Sequence, residues 1–212
     1  MTTQQKLLEL LADGQQHSGE EIAQALGVSR SAVWKQTGQL AALGIDVDAQ
    51  AGQGYRLRHP LDLLSADAIS KALQPATLAA SEFIDVRWKT ESTNNLLTAL
   101  GTPAPGSLQI AAAEFQSAGK GRRGRSWIAP FGAGICFSVG WRFAVSPPNL
   151  ACLGLAVGVG LVRALAQLGI TDVQLKWPND VLRSGGKLAG VLIEVNGESD
   201  GPRHAVIGVG IN

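Results

Sequence analysis

Cysteine is scarce: Cys136 and Cys152 are the two in 212 residues, so at most one disulfide could form, and neither belongs to a Cys-x-x-Cys pair. The three histidines, His17, His59 and His204, are scattered. No dedicated Cys/His metal site is therefore expected, and two buried free thiols in a reducing compartment is the simpler reading. An excess of either charge is also missing, with 18 Lys/Arg against 17 Asp/Glu and a net charge of +1. No global field recruits nucleic acid or a membrane. The N-terminal residues lack the apolar core of a signal peptide. The longest apolar run, Leu150 to Val162, is broken by Arg163 and is too short to span a bilayer. Internal repeats and low-complexity segments are absent too. A cytoplasmic protein with no membrane partner is the expectation, with enough chain for one or two domains and a sizeable core.

Against these absences stands one concentrated feature, Gly119-Lys120-Gly121-Arg122-Arg123-Gly124-Arg125-Ser126-Trp127, with four cations, three glycines and no acid. Glycine lets backbone approach a ligand closely, and arginine offers a planar fork of donors for phosphate or carboxylate oxygens. Gly119, Gly121 and Gly124 spell the dinucleotide fingerprint, which requires a helix opening in the loop and an acid about 20 residues on. Here Trp127, Pro130 and Gly132 follow, and no Asp or Glu occurs between Glu114 and Asp172. That reading fails. A phosphate-binding P-loop fails as well, because Lys120 is followed by glycine. An Arg-rich solvated loop remains the plain alternative to a ligand loop.

Residues 1–60 carry five Lys/Arg and six Asp/Glu and read as three short helices and a hairpin. Leu7, Leu8, Leu10 and Leu11 form one apolar stripe. Ser18 with Glu21 makes a capping box before the second helix. Gly27 turns the chain, and Ser29 or Ser31 caps a third helix carrying Val33, Trp34, Leu40 and Leu43. Ile45–Asp48 and Tyr55–Arg58 alternate as two strands around a turn. Helix, tight turn, helix and hairpin make a winged helix-turn-helix. Ser29, Arg30, Ser31 and Lys35 would then lie at the groove-facing start of the third helix, with Arg56 and Arg58 reaching phosphates from the wing. Protein binding is the alternative use of such a unit. With so few phosphate contacts one copy binds weakly, which implies a dimer on a palindrome.

The pattern breaks near residues 60–64, giving domains over 1–62 and 63–212. The second alternates elements: a helix from Ser65 to about Leu73, a strand over Glu82–Lys89, a helix over Thr93–Leu100 and a strand over Ser107–Glu114 entering the cationic loop. Then come a strand over Ala133–Phe143, a long apolar helix over Pro147–Leu168 and a strand over Val173–Trp177. Strands over Lys187–Val195 and His204–Val209 are separated by a polar turn over 196–202. Adjacent strands without intervening helices predict a mixed, largely antiparallel sheet and an α+β class. Ser92-Thr93-Asn94 opens a helix, where simple N-capping is the plain reading. Lys176-Trp177-Pro178-Asn179-Asp180 follows a strand, where Asn-Asp is also ordinary turn chemistry. Lys187, between Gly186 and Gly190, is by itself a weak signal.

Taken in order, Ser92-Thr93-Asn94, Glu114-Phe115-Gln116, Gly119–Trp127, Lys176–Asp180, Lys187–Gly190 and Gly208–Asn212 closely resemble the bacterial bifunctional biotin–protein ligases. The resemblance covers essentially the whole chain, including the winged N-terminus of the kind that represses biotin synthesis genes. It implies a ligase domain resembling the class II aminoacyl-tRNA synthetases. It also implies activation of biotin by ATP with Mg²⁺ to biotinyl-5′-AMP, then transfer to one lysine of a biotin carboxyl carrier protein. By the same resemblance Ser92, Thr93, Asn94 and Gln116 would meet biotin, and Lys120, Gly121 and Arg122 would close over it. Lys187 would bridge the activated carbonyl and the α-phosphate. Trp127 would stack on adenine, with Arg123, Arg125, Asn179, Asp180 and Asn212 serving the nucleotide. A homodimer in the adenylate-bound form, binding operator DNA, is implied as well. Lys120 departs from the family's usual arginine, and the chain ends inside the expected ligase domain, which implies truncation before the small C-terminal barrel. Two other functions stay open: a winged repressor that senses biotin without turnover, and a lipoate-type ligase on the same fold. No Ser-His-Asp or Cys-His device is evident.

Overall fold

The computed structural model describes residues 2–197 and 201–212. The chain divides into two compact units, one reaching to Leu63 together with Pro130–Gly132, the other comprising Leu64–Ala129 and Ala133–Asn212.

In the first unit α1 (Thr3–Leu11) buries Leu7, Leu8 and Leu11. α2 (Gly19–Leu26) opens on the expected Ser18–Glu21 capping box and ends at Gly27, whose φ of 63° is left-handed. α3 (Arg30–Ala41) is capped by Ser29, whose hydroxyl accepts from the Ala32 N–H. Ile22, Val33, Leu40 and Leu57 complete the core. Burying each such aliphatic side chain is worth about 1.5–3 kcal/mol. β1 (Val47–Gln50) and β2 (Gly54–Leu57) pair antiparallel, Val47 opposite Leu57. His17 and Tyr55 exchange both backbone hydrogen bonds, at 2.9 and 2.8 Å, tying the wing to the turn before α2. A Cβ on Gly54 would lie 2.0 Å from the His17 carbonyl oxygen, so that contact demands glycine.

The winged architecture is as read, with one correction that matters below. Trp34, expected on the apolar side of α3, is 71% exposed. The buried stripe is Val33, Thr37 and Leu40, at i, i+4 and i+7, and Trp34 is turned about 100° away from it.

The second unit is a seven-stranded sheet. Its strands are β3 (Ser81–Thr90), β4 (Leu108–Gln116), β5 (Ile135–Phe143), β6 (Val173–Lys176), β7 (Asp180–Arg183), β8 (Gly186–Gly197) and β9 (Arg203–Ile211). They lie in the order β3-β4-β5-β9-β8-β7-β6. β3 and β4 are parallel, joined through α6 (Thr93–Leu100), and every other pair is antiparallel. α6 rests on the sheet through Leu97 against Ala111 and Val206. α4 (Ala66–Ala72), capped by Ser65 as expected, and α5 (Pro75–Ala80) precede β3.

α7 (Leu153–Gln167) begins later than the prolines at 147 and 148, because a short 3₁₀ turn over Leu150–Cys152 intervenes. The apolar run read as too short to span a bilayer continues past Arg163 as a helical stretch over Leu150–Gln167, which with mean hydropathy 1.8 is long and apolar enough to cross a membrane by length and composition. In the fold Leu165 packs with Val181 and Ala189, flanked by Leu161 and Val162. The sequence reading missed α5 and β7; β7 is four residues long and starts where Asn179-Asp180 read as a turn. Part of the expected polar turn over 196–202, residues 198–200, lies outside the described residues. One expectation about the thiols is also corrected. Cys136 is buried on β5, but Cys152 is exposed at the end of the 3₁₀ turn.

Candidate active site

Three central strands supply an almost bare floor. Across β5, β9 and β8 one row reads Cys136, Gly210, Gly190, and the row two residues along reads Ser138, Gly208, Leu192. Residues two apart on a strand share a face, so Gly208 and Gly210 open the same side. That space is taken by side chains from elsewhere. A Cβ on Gly210 would sit 2.3 Å from the Trp127 ring, and one on Gly208 would sit 2.3 Å from Asn94 Oδ1. A Cβ on Gly190 would meet Lys187 Nζ at 2.9 Å. Trp127 and Asn94 can lie on the sheet only because Gly210 and Gly208 lack side chains, whereas at Gly190 the tip of Lys187 would have to shift.

The first turn of α6 forms a polar wall over this floor. Ser92, Thr93 and Asn94 are all buried. The Thr93 N–H donates to Gln116 Oε1 at 2.8 Å, and its hydroxyl reaches the same oxygen at 3.2 Å. The Ser138 hydroxyl lies 2.7 Å from Thr93 Oγ1 and 2.6 Å from Asn94 Oδ1, with one proton to give. Asn94 Nδ2 donates to Glu194 Oε2 at 2.7 Å. A carboxylate can only accept here, so Glu194 fixes which end of the Asn94 amide faces Ser138.

The cationic loop closes the other side as a tight turn. Lys120 and Ser126 form a bridge, and the Trp127 N–H donates to the Gly119 carbonyl at 2.8 Å. Each inward cation rests on a protein acceptor. Lys120 Nζ is 3.5 Å from Glu194 Oε1, Lys187 Nζ is 2.7 Å from Asp180 Oδ1, and Arg122 Nη1 donates to Asn179 Oδ1 at 3.1 Å. Lys187 Nζ also lies 5.2 Å from the centre of the Trp127 ring, a cation–π distance. Asn179 is held in turn by donating to the Val191 carbonyl at 2.8 Å. Burial pushes the Cys136 thiol up, a shift partly opposed by Gln116 and Trp127 beside it.

Ser92, Thr93, Asn94, Gln116, Lys120, Gly121, Arg122, Trp127, Asn179 and Lys187 thus line one cavity. Its free space is about 50 Å³, room for a few waters and well below the 300–1,000 Å³ of a typical ligand pocket. Lys120, Arg122 and Lys187 are among its lining residues, each held on a protein acceptor. The remaining candidates lie apart. Arg123 faces a neighbouring groove with Pro178 and Leu192, Arg125 is exposed, and Asp180 reaches the cavity through Lys187. Asn212 is not among the residues lining the cavity; its N–H donates to the Leu188 carbonyl at 2.8 Å. Sequence reasoning missed Ser138 and Glu194. Neither carries a local signal, because each is selected by which strands become neighbours. Among the described residues no cluster of three or more His, Cys, Asp or Glu could hold a metal ion.

In the first unit Arg30, Ser31, Trp34 and Lys35 share the exposed side of α3. Arg30, Ser31 and Trp34 line a groove of about 730 Å³ between that helix and the wing residues Ala49–Gly52. Arg56 lies 3.6 Å from Asp48, and Arg58 reaches Asp46 and Asp48 at 3.4 and 3.2 Å. Such exposed pairs are worth under about 1 kcal/mol and yield readily to a competing anion.

Fold and site together define a class: a winged helix-turn-helix unit joined to a mixed-sheet domain whose glycine floor, polar wall and cationic loop line one cavity. The biotin/lipoate A/B protein ligase family model matches residues 86–212, and a helix-turn-helix domain model matches 3–56. The chain is 41% identical to the bifunctional ligase/repressor BirA of Salmonella typhimurium over 207 residues, covering 97% of this chain and 62% of that protein. It is 41% identical to the Escherichia coli protein of the same name over 208 residues, covering 98% and 62%. Biotin protein ligase from Leishmania major, solved with biotinyl-5-AMP, superposes with TM-score 0.52 at 26% identity, covering 61% of this chain and 56% of that one. The chain belongs to the biotin/lipoate A/B protein ligase family. It spans about three-fifths of the length of the curated relatives it matches.

Proposed function

We propose that the protein activates biotin with ATP and passes the biotinyl group to a lysine of a biotin carboxyl carrier protein, while its N-terminal unit represses transcription at an operator. The observation that carries the enzymatic half is the convergence of the polar wall and three cations on one glycine-floored cavity. In the first step a biotin carboxylate oxygen attacks the α-phosphorus of ATP and pyrophosphate leaves. Carboxylate and triphosphate repel, so Lys120, Arg122 and Lys187 leave Glu194, Asn179 and Asp180 for the ligand's oxygens and let the two anions meet. In the second step the acceptor amine attacks the carbonyl carbon, AMP departs with the bonding pair, and the nitrogen gives up a proton. The closed loop keeps water from the anhydride until then.

Ser92, Thr93, Asn94 and Gln116 would seat biotin, and Trp127 would stack on adenine. Asn179, Asp180, Arg123, Arg125 and Asn212 would serve the nucleotide. Mg²⁺ would enter with ATP, for it commonly binds through one or two carboxylates plus substrate phosphates, and Asp180 offers such a carboxylate beside Lys187. The relatives' names favour biotin over lipoate. A cytoplasmic location and an adenylate-dependent homodimer belong to the same reading.

Incubating the chain with biotin, ATP and Mg²⁺ and examining it by mass spectrometry tests this directly. Biotinyl-5′-AMP with stoichiometric pyrophosphate is expected; binding of biotin without pyrophosphate release would point instead to a sensor without turnover. Arg122→Gly should still form the adenylate but release or hydrolyse it about 10-fold faster or more, since a charged hydrogen bond contributes roughly 1.5–3 kcal/mol. Unchanged retention in a single-turnover assay would count heavily against the closing loop.

A further inference from the structure

The largest uncovered aromatic surface on the winged unit is Trp34, and nothing in its core requires it. The residue is 71% exposed on α3. Its neighbours one turn away on the same face are Arg30 and Ser31 before it and Gly38 after it. No long apolar side chain stands at either end to cover the indole. A single exposed aromatic needs no partner by itself, but this one lines the groove between α3 and the wing together with Arg30 and Ser31, and two exposed cations, Arg30 and Lys35, flank it. Acidic groups on this side are sparse: Glu20 lines the groove, and Asp46 and Asp48 are engaged by Arg56 and Arg58. Trp34 is also the fifth residue of α3, in the N-terminal half that a helix-turn-helix presents to base edges.

We propose that Trp34 is a base-reading residue, packing its indole against the C5-methyl of a thymine in the major groove while Arg30 and Lys35 hold phosphates. The inference rests on the operator-binding half of the proposed function. Thymine is the base whose major-groove edge is apolar, and contact with that methyl is a recognised form of direct readout. Cations to either side fit a duplex better than an acidic or apolar protein partner. Such a contact supplies the sequence discrimination that two phosphate-binding cations cannot.

The test uses the full chain with biotin, ATP and Mg²⁺ and a pool of randomised 40-base-pair duplexes, from which bound sequences are enriched. In the winning duplex each thymine is then replaced by deoxyuridine, which removes only the methyl. Replacement in one half-site should weaken wild-type binding about three- to fivefold, the factor for one buried methyl. Trp34→Ala should lose at least as much and show no further loss at that deoxyuridine, a non-additivity that marks direct contact. Being exposed, the substitution leaves the core intact, which circular dichroism checks. Arg30→Ala and Lys35→Ala should instead weaken all duplexes alike and lessen the salt dependence. Equal deoxyuridine penalties in wild type and Trp34→Ala would overturn the role of Trp34 while leaving operator binding in place. Failure of the wild type to enrich any sequence would overturn both. Self-association lost in Trp34→Ala, with DNA binding unchanged, would assign the indole to a second copy and also overturn the inference.

Discussion

Glu194 holds two site residues at once, the Asn94 amide through one oxygen and the Lys120 ammonium near the other. The lysine pair is a third or more exposed on both sides, so it contributes little to stability. Its consequence is positional. Glu194→Gln keeps the shape and an acceptor for Asn94 but turns an amide toward Lys120. Melting should barely change, while trypsin cleavage within 120–125 and loss of bound adenylate should both quicken several-fold. His204 titrates with the opposite emphasis, on stability. Burial holds its imidazole below the ordinary value of 6.5. The folded chain therefore binds fewer protons than the unfolded one as pH falls through that value. The stabilisation is complete above about pH 6.5 and is lost progressively below it, as pH approaches the depressed folded-state value. Thermal melts between pH 7.5 and 5.5 should show this slope, and His204→Gln should flatten it.

Among the elements, the glycine strands and the capped helices make opposite demands. β9 must stay bare at alternate positions. Gly210→Ala would drive a methyl into the Trp127 ring, and Gly208→Ala into Asn94. Overpacking of this kind costs about 1–3 kcal/mol, and both variants should lose biotin binding more than stability, as a titration beside a melt will show. α2 depends on Ser18 and Glu21, which exchange hydrogen bonds of 3.1 and 2.9 Å. Ser18→Ala should cost the winged unit about 1 kcal/mol. The Glu21 carboxyl is held below its usual range chiefly by the Ser18 N–H. Its contribution is thus present above the ordinary glutamate value of 4.5 and fades as pH falls below that.

At the scale of the whole molecule, a net charge of +1 and only a few cations on the winged unit leave little for non-specific attraction to DNA. On the proposed adenylate-dependent dimer, duplex binding should be weak without ligand and strengthen when biotin and ATP are supplied, because two linked copies would double the phosphate contacts. Fluorescence anisotropy with and without both substrates, over 50–200 mM salt, will show a steeper salt slope for the liganded form. Sedimentation under the same conditions should show the dimer.

Much of this chain was legible before folding, since its signals are local. Capping boxes, apolar stripes, the Gly-Arg loop and Ser92-Thr93-Asn94 report on residues three or four apart; Ser18 and Ser65 marked the starts of α2 and α4, whereas the box of Thr2 and Gln5 before α1 went unread. The four-residue strand β7 was lost because its start coincides with turn chemistry, and Trp34 was put inside because position 33 or 34 could equally have carried the buried stripe. Only the tertiary structure brought Ser138, Glu194, Gly208 and Gly210 to one place. Ser138 and Glu194 are unremarkable in their own stretches of chain, and the part each of the four plays is set by neighbours more than 40 residues away, through a strand order that no local pattern encodes.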